Sequence, residues 1–211
     1  MTEIYLIRHG QTVYNVQARI QGMADSELTA LGQADAKALG RGLMQAGVVF
    51  DAAYSSDLKR AKDTAELALE AADQYLPVQT LPGLREEDYA SLEGHPQQER
   101  TERLQKLLPG ADVHDLTVIA NGVHQLDAQA EDAVMVQKRF DATLRQIAAT
   151  KAKRVMVVSH GTVSLLWLAY IGYDLHGQNK LNNASVTRLT ITDRQVAVQE
   201  FDSLAYVEAG R

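Results

Sequence analysis

The sequence predicts an α/β fold with a mostly parallel sheet, and three observations predict it. Segments of strand character alternate with segments of helical periodicity along the 211 residues. Val155-Met156-Val157-Val158 is an uninterrupted apolar run, mostly β-branched, as expected of a strand buried on both faces. Two strands end in the same dipeptide: Ile7-Arg8 runs into His9-Gly10, and Val158-Ser159 into His160-Gly161.

Residues 3–7 read as a short, largely buried strand. Residues 29–46 read as a helix with Thr29 as N-cap and Gly47 as stop. Gly32, Gly40 and Gly42 each cost that helix about 1 kcal/mol against Ala unless close packing demands a small residue. A strand over 48–54 runs into Ser55-Ser56, and the helix after it sets Leu58, Ala61, Ala65 and Leu69 on one face. Val136, Phe140, Leu144 and Ile147 mark another helix at spacings of four, four and three. The strand over 155–159 leads into an apolar helix through 165–171. Segments 186–191 and 195–201, joined near Asp193-Arg194, read as a hairpin. Residues 87–130 break the rhythm with Pro96, Pro109-Gly110 and a polar amphipathic stretch over 97–108, without a strand pattern. They read as a lid inserted over one end of the sheet in a single domain spanning 1–211.

Composition narrows the function classes. Forty-five per cent of residues are apolar, enough for a sizeable core, and the net charge is −6. No stretch reaches the ~20 apolar residues of a membrane span. The absence of cysteine excludes disulfides, thiolate metal sites and cysteine nucleophiles. The first residues lack a signal-peptide pattern, so a cytoplasmic protein is expected. A pI near 5.5 argues against a general nucleic-acid-binding surface.

The chemistry concentrates where the two His-Gly strands end. In open α/β sheets ligands bind beyond the carboxyl ends of the strands, so parallel neighbours would bring His9 and His160 to one ligand. Singly, either histidine reads as an ordinary hydrogen-bonded strand-end residue; the matched pair points to a site. Arg8 and Arg60 are placed to join them. Two guanidinium forks, two imidazoles and fresh helix N-termini make an anion pocket suited to phosphate.

Five segments, in order, carry a specific resemblance. Arg8-His9-Gly10-Gln11-Thr12-Val13-Tyr14-Asn15 is similar to the R-H-G-[E/Q]-[T/S]-x-x-N signature of the histidine phosphatase superfamily, phosphoglycerate-mutase-like branch. Gln21-Gly22-Met23-Ala24-Asp25-Ser26-Glu27-Leu28-Thr29 resembles its Q-G-x-x-D-x-P-L-T segment, with Glu27 in place of proline. Ser55-Ser56-Asp57-Leu58-Lys59-Arg60-Ala61 and Leu84-Arg85-Glu86-Glu87-Asp88-Tyr89-Ala90-Ser91-Leu92-Glu93-Gly94 resemble two more, and Ser159-His160-Gly161 closes the set.

The resemblance implies a three-layer α/β/α sandwich of the phosphoglycerate-mutase type. It implies that His9 is the nucleophile, Arg8, Arg60 and His160 stabilise the phosphoryl group, and Glu86 is the proton donor. Asn15, Gln21, Gly22 and Gly161 become substrate-binding residues. No metal or cofactor is implied, and the partner is a small phosphorylated substrate; nucleic acid and membrane are not expected, and the chain is read as monomer or homodimer. The leading reading is a phosphomonoester hydrolase working through a phosphohistidine. A mutase of the same family is the alternative, and a non-catalytic phosphate-binding protein the second. Hydrolysis is favoured because 87–130 holds only Arg100, Arg103 and Lys106 as basic residues besides three histidines, and about ten residues follow Phe201 to form a cover. Ala90 stands where the family usually has glycine, Glu131-Asp132 stand near a usual G-E-S, and Arg85 is read equally as pocket-lining or as surface.

Overall fold

Alternation along the central strands sorts the apolar side chains onto two faces. The structure, a computed structural model, describes residues 1–150, 152–192 and 195–211. Ile4 and Leu6 of β1 (Thr2–Arg8) join Val155 and Val157 of β4 (Arg154–Ser159) in one core. Tyr5 and Ile7 join Met156 and Val158 in the other. The first core is closed by α6 (Ala133–Ala149) and α7 (Gly161–Tyr170). The second is closed by α2 (Ala30–Gln45), α3 (Lys59–Ala71) and α8 (Ala205–Ala209), the one-turn α1 (Val13–Val16) lying between β1 and α2 in the chain. Helices on both faces give three layers, as expected.

Among the described residues six strands form one sheet, in the order β3-β2-β4-β1-β5-β6, with β2 at Ala52–Ser55 and β3 at Val78–Thr80. β1 and β4 are parallel neighbours, as are β4 with β2 and β2 with β3. β5 (Val186–Ile191) and β6 (Val196–Ser203) add an antiparallel edge. The expected turn at Asp193-Arg194 lies outside the described residues.

Several boundaries differ from the sequence reading. The strand read over 48–54 begins only at Ala52, because Val48 and Phe50 spend their N–H groups on Leu43 O and on Gln74 Oε1 rather than on a ladder. The glycines of α2 answer to packing: an added Cβ at Gly40 would collide with the Ala68 carbonyl, and one at Gly42 with the Tyr206 carbonyl. Residues 87–130 contain two helices, α4 (Gln97–Leu107) and α5 (Leu116–Leu126), where the sequence suggested only the first. They enclose a third cluster with Ile20, Leu92, Leu104 and Val123, separate from the two cores on the sheet.

Candidate active site

Register brings the two His-Gly ends together. Arg8 pairs with Ser159 across β1 and β4, and His9 N–H donates to the Ser159 carbonyl at 3.0 Å. The imidazoles of His9 and His160 therefore stand side by side, ring centroids 5.2 Å apart. His9 Nδ1 lies 2.7 Å from the Gly10 carbonyl oxygen. A carbonyl only accepts, so Nδ1 carries the proton and Nε2 keeps the lone pair. Burial, then the charges of Arg60 and Arg8, hold the His9 pKa well below its usual value, so the ring is neutral. His160 is lowered for the same reasons, burial first, and neither ring nitrogen has a hydrogen-bond partner among the described residues.

Arg60, on the first turn of α3, is 1 % exposed and reaches the site from below. Its terminal nitrogens donate to the carbonyls of Ala24 (3.0 Å) and Gly22 (2.8 Å) and to Asp25 Oδ1 (3.0 Å), while Nε has no partner. That loop is itself moulded by Glu93, whose carboxylate accepts the N–H groups of Gly22, Met23, Ala24 and Tyr89 at 2.9–3.1 Å. The chain of support thus runs from Glu93 through the 22–24 backbone to the guanidinium. Arg8 Nη1 donates to the Leu181 carbonyl and leaves its Nε unpartnered.

Glu86 is fixed from two sides. Its carboxylate accepts the N–H groups of Thr162 (2.9 Å) and Val163 (2.7 Å), the orphan donors at the start of α7. It also accepts from Glu87 N at 3.1 Å. Two N–H groups at the start of α7 are therefore taken by a carboxylate instead of standing free for phosphate, while Gly161 stays on the cavity wall. Behind Glu86, Arg139 of α6 donates to the carbonyls of Gly83, Arg85 and Glu86 at 3.0–3.1 Å. Glu131 grips the same guanidinium bidentately at 2.8 and 2.6 Å, and accepts from Asp88 N.

A cavity of about 510 Å³ opens over this strand edge, within the range of small-molecule sites. Arg8, His9, Asn15, Gln21, Glu86 and Gly161 line it, while Arg60 and His160 lie buried beneath. Asn15 Oδ1 accepts from Thr12 N and Asn183 Nδ2, both at 3.1 Å, so its own amide nitrogen remains to donate. Gly22 differs from expectation: it is off the wall, its N–H held by Glu93 and its carbonyl by Arg60. Arg85 turns outward into a bidentate pair with Asp57 and does not line the cavity. Ala90 adopts φ +46°, the left-handed conformation that glycine takes more easily. Among the described residues no three His, Asp or Glu side chains are grouped to hold a metal.

Sequence reasoning missed Arg139, Glu93, Asn183 and the cavity face of Arg100. Arg139 had a usable signal, since it lies three residues after Val136 and four before Thr143, a charge on the buried face of a helix.

The arrangement has counterparts. The chain is 33 % identical to a metal-independent phosphoserine phosphatase of Arabidopsis thaliana, over 99 % of this chain and 84 % of that one. It is 30 % identical to a broad-specificity phosphatase of Saccharomyces cerevisiae, over 87 % of this chain and 77 % of that one. The crystal structure of a phosphoglycerate mutase from Bacillus anthracis superposes with a TM-score of 0.89 at 30 % identity, covering 99 % and 96 % of the two chains. The pattern of the histidine phosphatase superfamily (branch 1) matches residues 4–203, which include every residue of the pocket described above. Paired strand-end histidines, buried arginines and a near-full-length match have one common reading: the chain belongs to the histidine phosphatase superfamily, a family of enzymes.

Proposed function

We propose that the chain is a phosphomonoester hydrolase acting on small phosphorylated metabolites through a phosphohistidine on His9. The observation that carries the reading is a neutral, buried His9 whose only uncommitted nitrogen is Nε2, set in one cavity with Glu86 and Arg8. In the first step the Nε2 lone pair forms a bond to phosphorus, the P–O ester bond breaks, and Glu86 gives its proton to the departing oxygen. In the second, water forms a bond to phosphorus as Glu86 takes its proton, the P–Nε2 bond breaks with its electron pair returning to His9, and orthophosphate leaves. Arg8, Arg60 and His160 spread the charge on the equatorial oxygens, and Asn15 adds a neutral donor; positioning and electrostatics supply most of the catalysis in phosphoryl transfer. Residues 87–130 stand over the cavity as a lid that meets the rest of the substrate and leaves water a way to the phosphohistidine.

Hydrolysis is favoured over intramolecular transfer because the lid is thinly charged toward the cavity. Of its three arginine and lysine residues only Arg100 lines the wall; Arg103 pairs with Glu99 on α4 instead. Residues 205–209 pack on the second core and do not reach the cavity. The test is incubation with 3-phosphoglycerate, with and without 2,3-bisphosphoglycerate, measuring both orthophosphate and 2-phosphoglycerate. Orthophosphate release that disappears in His9→Ala is expected. Rapid primer-dependent isomerisation with little orthophosphate would replace this reading by the mutase one. Absence of both, with phosphate still bound, would favour a non-catalytic binder.

A further inference from the structure

The one arginine or lysine of the lid that faces the cavity, Arg100, has no counterion there among the described residues. Arg8, Arg19, Arg100 and Lys180 line the cavity against a single carboxylate, Glu86, in a protein of net charge −6. Two of these cations are committed. Arg8 belongs to the strand edge beside His9, and Arg19 donates to Gly94 O (2.7 Å) and Gln17 Oε1 (3.0 Å). Arg100 is different: it forms no ion pair and no hydrogen bond among the described residues, and its buried Nε is left without a partner. It is held in place by the face of Tyr89, 5.8 Å from the ring centroid. A ring face orients a guanidinium without neutralising it.

The carboxyl nearest in influence does not neutralise it either. Glu87 is fully buried with neither oxygen hydrogen-bonded, and burial together with Glu86 pushes its pKa well above the usual carboxylate range. No ion pair joins Glu87 to Arg100 among the described residues. Lys180, exposed at the mouth on the segment that also carries Leu181, makes no ion pair among the described residues.

From this geometry we infer that the enzyme selects phosphomonoesters bearing a second anionic group, which the Arg100 guanidinium receives with Lys180 at the rim. The inference rests on the phosphatase reading but concerns binding, and so can be tested apart from it. The second group is a carboxylate or a phosphate, since a planar fork suits either. A substrate with a hydroxyl in that place leaves a desolvated guanidinium unpaired, which is where discrimination arises.

The experiment measures affinity by titration calorimetry in a His9→Ala background, so that turnover does not enter. Two pairs of ligands differ only in the second anion: 3-phosphoglycerate against glycerol 3-phosphate, and fructose 1,6-bisphosphate against fructose 6-phosphate. The expected result is a preference of about tenfold or more for the member with two anionic groups in at least one pair. The responding pair identifies the anion. Adding Arg100→Gln brings that ratio to within about threefold, while Arg100→Lys keeps part of it because the charge remains. Equal affinities within both pairs would overturn the inference, as would a preference that survives Arg100→Gln. Failure of the hydrolase reading would show separately, as absence of orthophosphate release by the His9 enzyme.

Discussion

Arg139→Met removes five hydrogen bonds at one stroke and tests whether Glu86 depends on its backing. Three of them hold the carbonyls of Gly83, Arg85 and Glu86, and two hold Glu131. Methionine fills a similar volume, so the cavity term is small and the loss is electrostatic. The Arg139 and Glu131 side chains are 23 % and 20 % exposed, so solvent moderates the cost of breaking the pair. A fully buried pair broken on one side costs about 3–5 kcal/mol, and about 2–3 kcal/mol is expected here. The catalytic effect is separable from that loss. If the Glu86 carboxyl shifts by about 1 Å, proton delivery falls by about 100-fold. That penalty applies in full to alkyl phosphates, whose leaving oxygen needs the proton, and much less to p-nitrophenyl phosphate, whose leaving group does not. The assay is kcat/KM for both substrates beside urea unfolding, with Arg139→Lys as the conservative variant. Expected are a drop of about 100-fold on the alkyl ester, under about tenfold on the aryl ester, and little further loss when Glu86→Gln is added. Equal losses on both esters would refute the positioning argument and leave Arg139 a purely structural residue.

Four further outcomes follow from the same geometry. Glu86→Gln should slow alkyl ester cleavage but leave a trappable, acid-labile phosphoenzyme with an aryl phosphate; a variant that hydrolyses both esters at the wild-type rate would remove Glu86 from its role. Because the folded-state pKa of His9 is depressed, its ring should remain the neutral Nδ1–H tautomer as pH falls through 6.5, which nitrogen-15 shifts of His9 read directly, and a midpoint at or above 6.5 would contradict the buried, cation-flanked setting. Glu87 has a raised folded-state pKa, so the unfolded chain releases this proton first and stability falls as pH rises above its unfolded value. Glu87→Gln should therefore stabilise the protein increasingly with pH, by up to about 1.4 kcal/mol per pH unit until the folded carboxyl ionises, and a gain independent of pH between 4 and 8 would exclude a neutral Glu87. Ala90→Gly should raise stability by about 1 kcal/mol in denaturant unfolding, since it relieves a left-handed alanine, and destabilisation would show that the methyl's packing outweighs the strain.

Local signals in the chain are enough to specify the class of fold and the strand edge where His9 and His160 meet. The unbroken apolar runs in 3–7 and 155–159 and the helical spacing of Val136, Phe140, Leu144 and Ile147 are such signals, and the same side chains form the cores. His9 and His160 can be matched from the sequence because strand ends in a parallel sheet share an edge. The three-residue β3 is too short to leave a pattern, and its place comes from pairing with β2. What each charge does is set by the folded arrangement. Arg85, Arg100 and Arg139 are the same residue type within one stretch of chain, yet one pairs outward with Asp57, one faces the cavity and one clamps the backbone behind Glu86. Nothing local distinguishes Arg85 from Arg100, because a guanidinium's role depends on which carbonyls and carboxylates distant segments deliver to it. The same holds for the start of α7: its free N–H groups are a property of the helix, but that Glu86 fills them is a property of the fold.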